Sequence, residues 1–178
     1  MALLTTDEVE HRTLGRVPAD MPGLSQVLSR AEEAVIAYCE WHVAPRRTET
    51  LTLDGTGSRL LQLPSLKVND VTTVRHLGET MDPDLYDWSA TGQIELRNPQ
   101  ARWTDRYRGI EVEIDHGYED IPSDLASVIV GLVVRAAASP MGETMIRVGD
   151  RQSHYSRVGT MPLNAEYQVL ERYRVRVA

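Results

Sequence analysis

Residues 109–140 read GIEVEIDHGYEDIPSDLASVIVGLVVRAAASP, and the change of period inside this stretch decides the fold. Val112, Ile114 and His116 fall on one side of an extended chain, and Glu111, Glu113 and Asp115 on the other. That alternation is the pattern of a half-buried strand. After Pro122 the apolar residues Leu125, Val128, Ile129, Leu132, Val133, Ala136 and Ala137 recur at intervals of three and four, so the chain turns into an amphipathic helix. Ser123 reads as its N-cap, with Asp124 in the first turn, where a carboxylate meets the positive end of the helix dipole.

Upstream, Leu24, Val27, Leu28, Ala31, Ala34, Val35 and Tyr38 form a second stripe, which implies a helix of roughly 17 residues ended by Pro45. Thr5 and Glu8 form a capping box for a short helix running toward Leu14, and GRVPADMPG at 15–23 breaks it. Between the two stripes the period is two. Glu49, Leu51 and Leu53 face one way and Thr48, Thr50 and Thr52 the other, and an Asp54-Gly55 turn and a hairpin through GTGSR (55–59) follow. Further strands are expected in 67–77, 86–89, 93–97 and 109–115.

Downstream, 139–162 is polar and aperiodic, which reads as a long loop or projecting hairpin. LNAEYQVLERYR (163–174) makes a last amphipathic helix with Asn164 as N-cap. The expected fold is α+β: a helical body with two core helices, an inserted small antiparallel β unit, an extended arm and a C-terminal helix. Residues 1–140 form the body, with the β unit at about 47–116, and 141–178 form the arm and docking helix. Val27, Leu28, Val35, Leu125, Val128, Ile129 and Leu132 are the expected core of the two helices.

Charge and composition narrow the function. The chain has a formal net charge of −7, against what wrapping nucleic acid by counterion release requires. Residues 141–178 hold six arginines against four acids, or +2, which leaves −9 for 1–140. Cys39 is the single cysteine, so no intrachain disulfide can form, and its place in the helical stripe makes it a small core residue. No apolar run approaches the roughly 18 residues of a membrane span, and a soluble, cytosolic chain is expected.

Catalytic signatures are weak. Glu111 to Asp120 and His116 could serve a small metal- or ligand-binding hydrolytic domain, but alternation already explains the carboxylates as a solvated face, and His116 shares the apolar side. His11, His42, His76 and His154 make no ligand spacing, and GTGSR lacks the lysine and following helix of a phosphate loop. No enzyme activity, cofactor or metal is expected.

The strand GIEVEID, the turn HGYED, IP and the alanine-rich helix closing on Pro140 resemble the head-to-tail connector (adaptor, or head-completion) proteins of tailed bacteriophages, particularly those of phages of high-GC actinobacteria. The stretches LSQVLSRAEEAVIAYCEW, TLTLDGTGSRLLQLPSLKVNDVTTV and YDWSATGQIELRNPQARWTDRYRG fall in that family's order, so the resemblance covers roughly 20–178. It implies a structural virion protein that forms a dodecameric ring under the portal and extends the DNA channel, through which DNA passes without specific binding. It also implies a surface for the next connector, stopper or tail-terminator protein. The place implied is the virion neck, after assembly in the host cytoplasm. The family's C-terminal segment docks on the portal, which on this chain points to Tyr167, Leu170, Arg172, Tyr173, Arg174 and Arg176. A helix of about 11 residues is marginal in water, so this one is expected to gain its order from the partner.

Overall fold

A computed structural model describes residues 2–138, 145–148, 151–154 and 161–175 of the chain, and the side chains of all but 145–154 among these. The fold is α+β, as expected. The chain divides into two compact units, the first made of Met1–Cys39 and Ile121–Arg172 and the second of Glu40–Asp120 and Tyr173–Ala178.

The first unit is helical. α1 (Thr6–Arg12) opens on the expected capping box: the Thr5 hydroxyl accepts from Glu8 N at 3.2 Å, and the Glu8 carboxylate accepts from Thr5 N at 2.7 Å. α2 (Leu24–Cys39) and α3 (Ser123–Ala138) pack on one another. Leu28, Val35, Leu125, Val128, Ile129 and Leu132 are buried as expected, while Val27 is half-buried. Two boundaries move by one residue. Ser123 and Asn164 are the first residues of their helices rather than caps, and the Pro122 carbonyl accepts from Ala126 N at 2.9 Å.

Glu32, which is not one of the stripe residues, is buried. Its carboxylate accepts from Leu3 N at 2.9 Å and Leu4 N at 2.8 Å, tying the segment before α1 to α2. β8 (Met145–Val148) and β9 (Arg151–His154) pair antiparallel, Met145 opposite His154, so of the long loop or projecting hairpin expected over 139–162 the paired strands of a hairpin are seen. The rest of that stretch, apart from residues 161 and 162, lies outside the described residues. α4 (Asn164–Leu170) packs on α2 and α3.

The second unit holds two antiparallel sheets. β1 (Arg47–Leu53), β7 (Ile110–His116), β3 (Val68–His76) and β4 (Glu79–Thr80) form the first, in that order. β2 (Leu60–Gln62), β6 (Gln93–Leu96) and β5 (Tyr86–Trp88) form the second. Val71, Val74, Ile110, Val112 and Ile114 of the first sheet share one buried cluster with Leu61, Tyr86, Ile94 and Leu96 of the second, and Trp103 closes it from a loop.

The hairpin expected through GTGSR is not formed. β1 and β2 belong to different sheets, and 54–59 runs instead along 104–108: Gly55 N donates to Arg106 O at 2.9 Å and Gly57 N to Thr104 O at 3.1 Å. Gly55 permits that close approach, since a Cβ there would lie 1.9 Å from Thr104 O.

Leu132→Asp places an unpaired charge at a fully buried site and is expected to cost several kcal/mol, on the order of the whole stability of a domain. Leu132→Ala leaves a cavity and should cost about 2–5 kcal/mol. Urea denaturation followed by circular dichroism checks both. A cooperative, wild-type transition for Leu132→Asp would show that α3 carries no core.

Candidate functional site

Two sets of residues carry the functional readings: the charged strand β7 with its histidine, and the C-terminal segment. On β7 burial alternates strictly, with Ile110, Val112, Ile114 and His116 inside and Glu111, Glu113 and Asp115 toward solvent. Asp115 is bound by the Arg46 guanidinium, whose Nε donates to both carboxylate oxygens at 2.9 and 2.8 Å, and this pair holds the Asp115 carboxyl below its usual range. Arg75 stands 3.6 Å from Glu111. Asp120 is exposed beyond the end of the strand.

His116 is 1 % exposed and faces the opposite way from these carboxylates. Its Nε2 lies 2.9 Å from Glu49 Oε1, off line for a hydrogen bond, and its ring is 5.9 Å from that of His42. Burial drives the His116 pKa down, against the pull of Glu49. The strand thus splits histidine and carboxylates between two faces, and among the described residues no group of three or more metal-ligating side chains converges. A hydrolytic site from Glu111–Asp120 and His116 has no assembled geometry. Cys39 is fully buried, and burial pushes its thiol up to about 12, far from a nucleophile.

Glu49, the partner of His116, shares one face of β1 with Leu51 and Leu53. The signal that could have exposed it is the carboxylate beside Leu51 and Leu53 on the inward side.

The C-terminal segment is held by its own chain. In the first unit Arg135 grips Glu166 through two parallel hydrogen bonds of 2.9 and 2.7 Å. The Tyr167 ring leans on Tyr38 at 5.1 Å between centroids, and the Tyr38 hydroxyl donates to Glu171. Leu170 is fully buried. In the second unit Trp41 Nε1 donates to Tyr173 O at 2.6 Å, Tyr118 meets the Tyr173 ring edge-on at 6.2 Å, Arg174 pairs with Glu40 at 3.0 Å and Val175 is buried.

The expectation that a partner supplies this helix's order is therefore corrected. Tertiary contacts within the chain supply it, and Leu170 belongs to the core rather than to a docking surface. Arg172, whose side chain is 69 % exposed and 3.9 Å from Asp124, and the half-exposed Arg174 remain at the surface. Arg176 lies outside the described residues. Among the described residues, no helix is long and apolar enough to cross a membrane.

A family model described as "Head completion protein" matches residues 2–135. Solved structures resemble the chain over nearly all its length. One, from the neck of a native gene transfer agent (GTA) particle computed with C12 symmetry, has TM-score 0.60 and 18% identity, over 100% of this chain and 94% of that one. A second, from the neck of an empty GTA particle computed with C6 symmetry, has TM-score 0.63 and 19% identity, over 99% and 92%. A third, from the virion of the native particle, has TM-score 0.62 and 20% identity, over 99% and 92%. At these identities the likeness is one of fold. No curated protein matches the chain.

Two outcomes follow from the geometry. Because His116 has a folded-state pKa below its ordinary 6.5, the unfolded chain takes up its proton first as pH falls. His116 thus contributes stability that is complete above about pH 6.5 and is lost below it through the lowered pKa. Denaturation midpoints measured from pH 7.5 to 5 should fall, and His116→Gln should flatten the slope; an equal slope in both proteins would place the titration elsewhere. Truncation before Asn164 strips the cover from the Leu170 site and the partner from Arg135, and should cost at least about 2–5 kcal/mol in the same assay.

Proposed function

The chain belongs to the head completion protein family, and on that footing we propose that it is a structural subunit of the neck of a phage-like particle, one of twelve in a ring between portal and tail. The observation that carries this reading is the family match over residues 2–135, which takes in α1 through most of α3 and every strand of the two sheets between them. The likeness of the whole chain to neck subunits in particles computed with C12 and C6 symmetry supports a ring in particular.

The physical chemistry agrees. A body of net charge −9 over residues 1–140 suits a channel that DNA must slide through, because like charge disfavours phosphate binding. The role needs no reacting group, and the buried His116 is used in packing beside Glu49. The ring extends the portal's channel and gives the next connector, stopper or tail-terminator protein its seat.

In this reading the C-terminal segment faces the portal. Tyr167, Leu170 and Tyr173 act indirectly, by fixing the backbone from which Arg172 and Arg174 project. Arginine is a favoured residue at interface centres and pairs with carboxylates through a planar fork.

Particles made without this protein should accumulate as DNA-filled heads with no tails, and adding the purified chain should restore tail joining. Heads that join tails at the normal level without it would end the neck assignment. Arg172→Glu with Arg174→Glu should leave the melting transition within about 1 kcal/mol of wild type, since Arg172 is largely solvated and the half-exposed Arg174–Glu40 pair is of the surface kind, yet reduce attachment to portal-bearing heads about tenfold or more and diminish its salt dependence. Unchanged attachment by a folded double variant would move the docking site off this segment.

A further inference from the structure

One loop of the second unit is pinned by hydrogen bonds and presents side chains that none of the described residues engages. Residues 101–109, ARWTDRYRG, hold three arginines against one aspartate, a local charge of +2 in a chain of −7. The backbone is pinned along its length. Thr104 N donates to His76 Nε2 at 2.9 Å, Arg106 N to Thr104 Oγ1 at 3.1 Å and Arg108 N to Asp54 Oδ1 at 2.8 Å. Gly55 N and Leu77 N donate to the carbonyls of Arg106 and Gly109 at 2.9 and 2.8 Å. Arg108 is held at φ +54°, a conformation that costs energy for a residue with a Cβ.

Yet Arg106, Tyr107 and Arg108 are exposed, Tyr107 to 86 %, and among the described residues none of the three side chains makes a hydrogen bond or ion pair. A large aromatic ring between two unpaired cations, on a backbone already ordered, forms an interface at little further entropic cost.

We propose that this loop seats on a second copy of the same chain, in the shallow depression on the solvent face of β1, β7 and β3 lined by Thr50, Thr73, Arg75, Glu111 and Glu113. The proposal deepens the ring reading and rests on it. Three observations support the choice of occupant. Copies of a chain with net charge −7 repel one another, so a closed ring needs opposite charge placed locally at each contact. The loop supplies the positive side. In the depression Glu113 stands between its strand partners Thr50 and Thr73 and, among the described residues, has no cation. A guanidinium can take the Glu113 carboxylate and the threonine hydroxyls together.

Loop and depression also lie at different places on one unit, the sheet's end and its face. A contact between them is head-to-tail, the kind that generates rings. Duplex DNA is the weaker candidate for the loop, because the surrounding acidic field opposes a phosphate backbone.

The test uses full-length chains. Tyr107→Cys and Thr50→Cys proteins are mixed, free in solution and on portal-bearing heads, and treated with a short bis-maleimide; Cys39, fully buried, does not compete. A crosslinked dimer in the mixture and in neither protein alone is the expected result. In parallel, Arg106→Glu with Arg108→Glu, and separately Glu111→Arg with Glu113→Arg, should each weaken self-association about tenfold or more, and the four changes together should restore it. Both pairs lie at the surface, and circular dichroism melts verify the fold.

Absence of the mixed crosslink, or failure of the fourfold variant to recover, overturns the proposal. So does loss of salt-sensitive duplex-DNA retention in Arg106→Ala/Arg108→Ala protein without any change in self-association, which would assign the loop to nucleic acid. Crosslinking without attachment to heads would sink the neck role and uphold this contact, and attachment without crosslinking would do the reverse.

Discussion

The second unit depends on β7 being paired on both sides. A strand bonded to β1 along one edge and β3 along the other has no free ladder groups, so its register is set by which of its faces must be buried. Ile110, Val112, Ile114 and His116 decide that register: a slip of one residue would drive Glu111, Glu113 and Asp115 into the cluster around Trp103 and Ile94. Burying three carboxylates there would exceed the stability of the fold, so the alternation specifies one pairing. Its solvent face then follows, and with it the depression between Thr50 and Thr73.

What the sequence disclosed tracks the range of the physics involved. Periods of two and three to four are local, and they located α2, α3, β1, β3, β5, β6 and β7 because each element must bury one face. The partner of each strand is not local. Asp54-Gly55 has the chemistry of a hairpin turn, yet β2 joins Gln93–Leu96 some 30 residues on, and the glycine serves the approach of 54–57 to Thr104 instead. Nothing in the pattern of 54–59 marks that choice, which is made by the packing of one sheet on another.

The C-terminal helix shows the same limit from the other side. Propensity and length make an isolated helix of this size marginal, and that inference holds for the peptide alone. Within the chain, Arg135, Tyr38 and Trp41 lie far away in sequence and supply what the peptide lacks. The basic cluster 172–176 was legible from charge, whereas the inward duty of Leu170 and Tyr167 was not, since an amphipathic stripe states that a face is covered and not by what. Glu32 is the converse: a charged residue among apolar neighbours reads as solvated until the two amides of Leu3 and Leu4 appear beside its carboxylate.

Charge distribution joins these parts into one account. An acidic body discourages both DNA adhesion and contact with its own copies, and only the second effect has to be overcome for a ring to form. Spreading arginines over the whole surface would relieve the repulsion but would also line a channel with phosphate ligands. Holding a few of them where backbone hydrogen bonds or tertiary contacts already fix their direction limits that conflict. Arg106 and Arg108 project from a loop pinned by Asp54, His76 and Leu77, Arg172 follows the buried Leu170 in the first unit, and Arg174 follows Tyr173, which Trp41 and Tyr118 hold in the second. Each set is short and held by its own chain, and under the proposed function one faces the next subunit and the other the portal ring. Specificity of assembly then resides in where few cations are held, while the net charge of the subunit stays negative enough for DNA to pass.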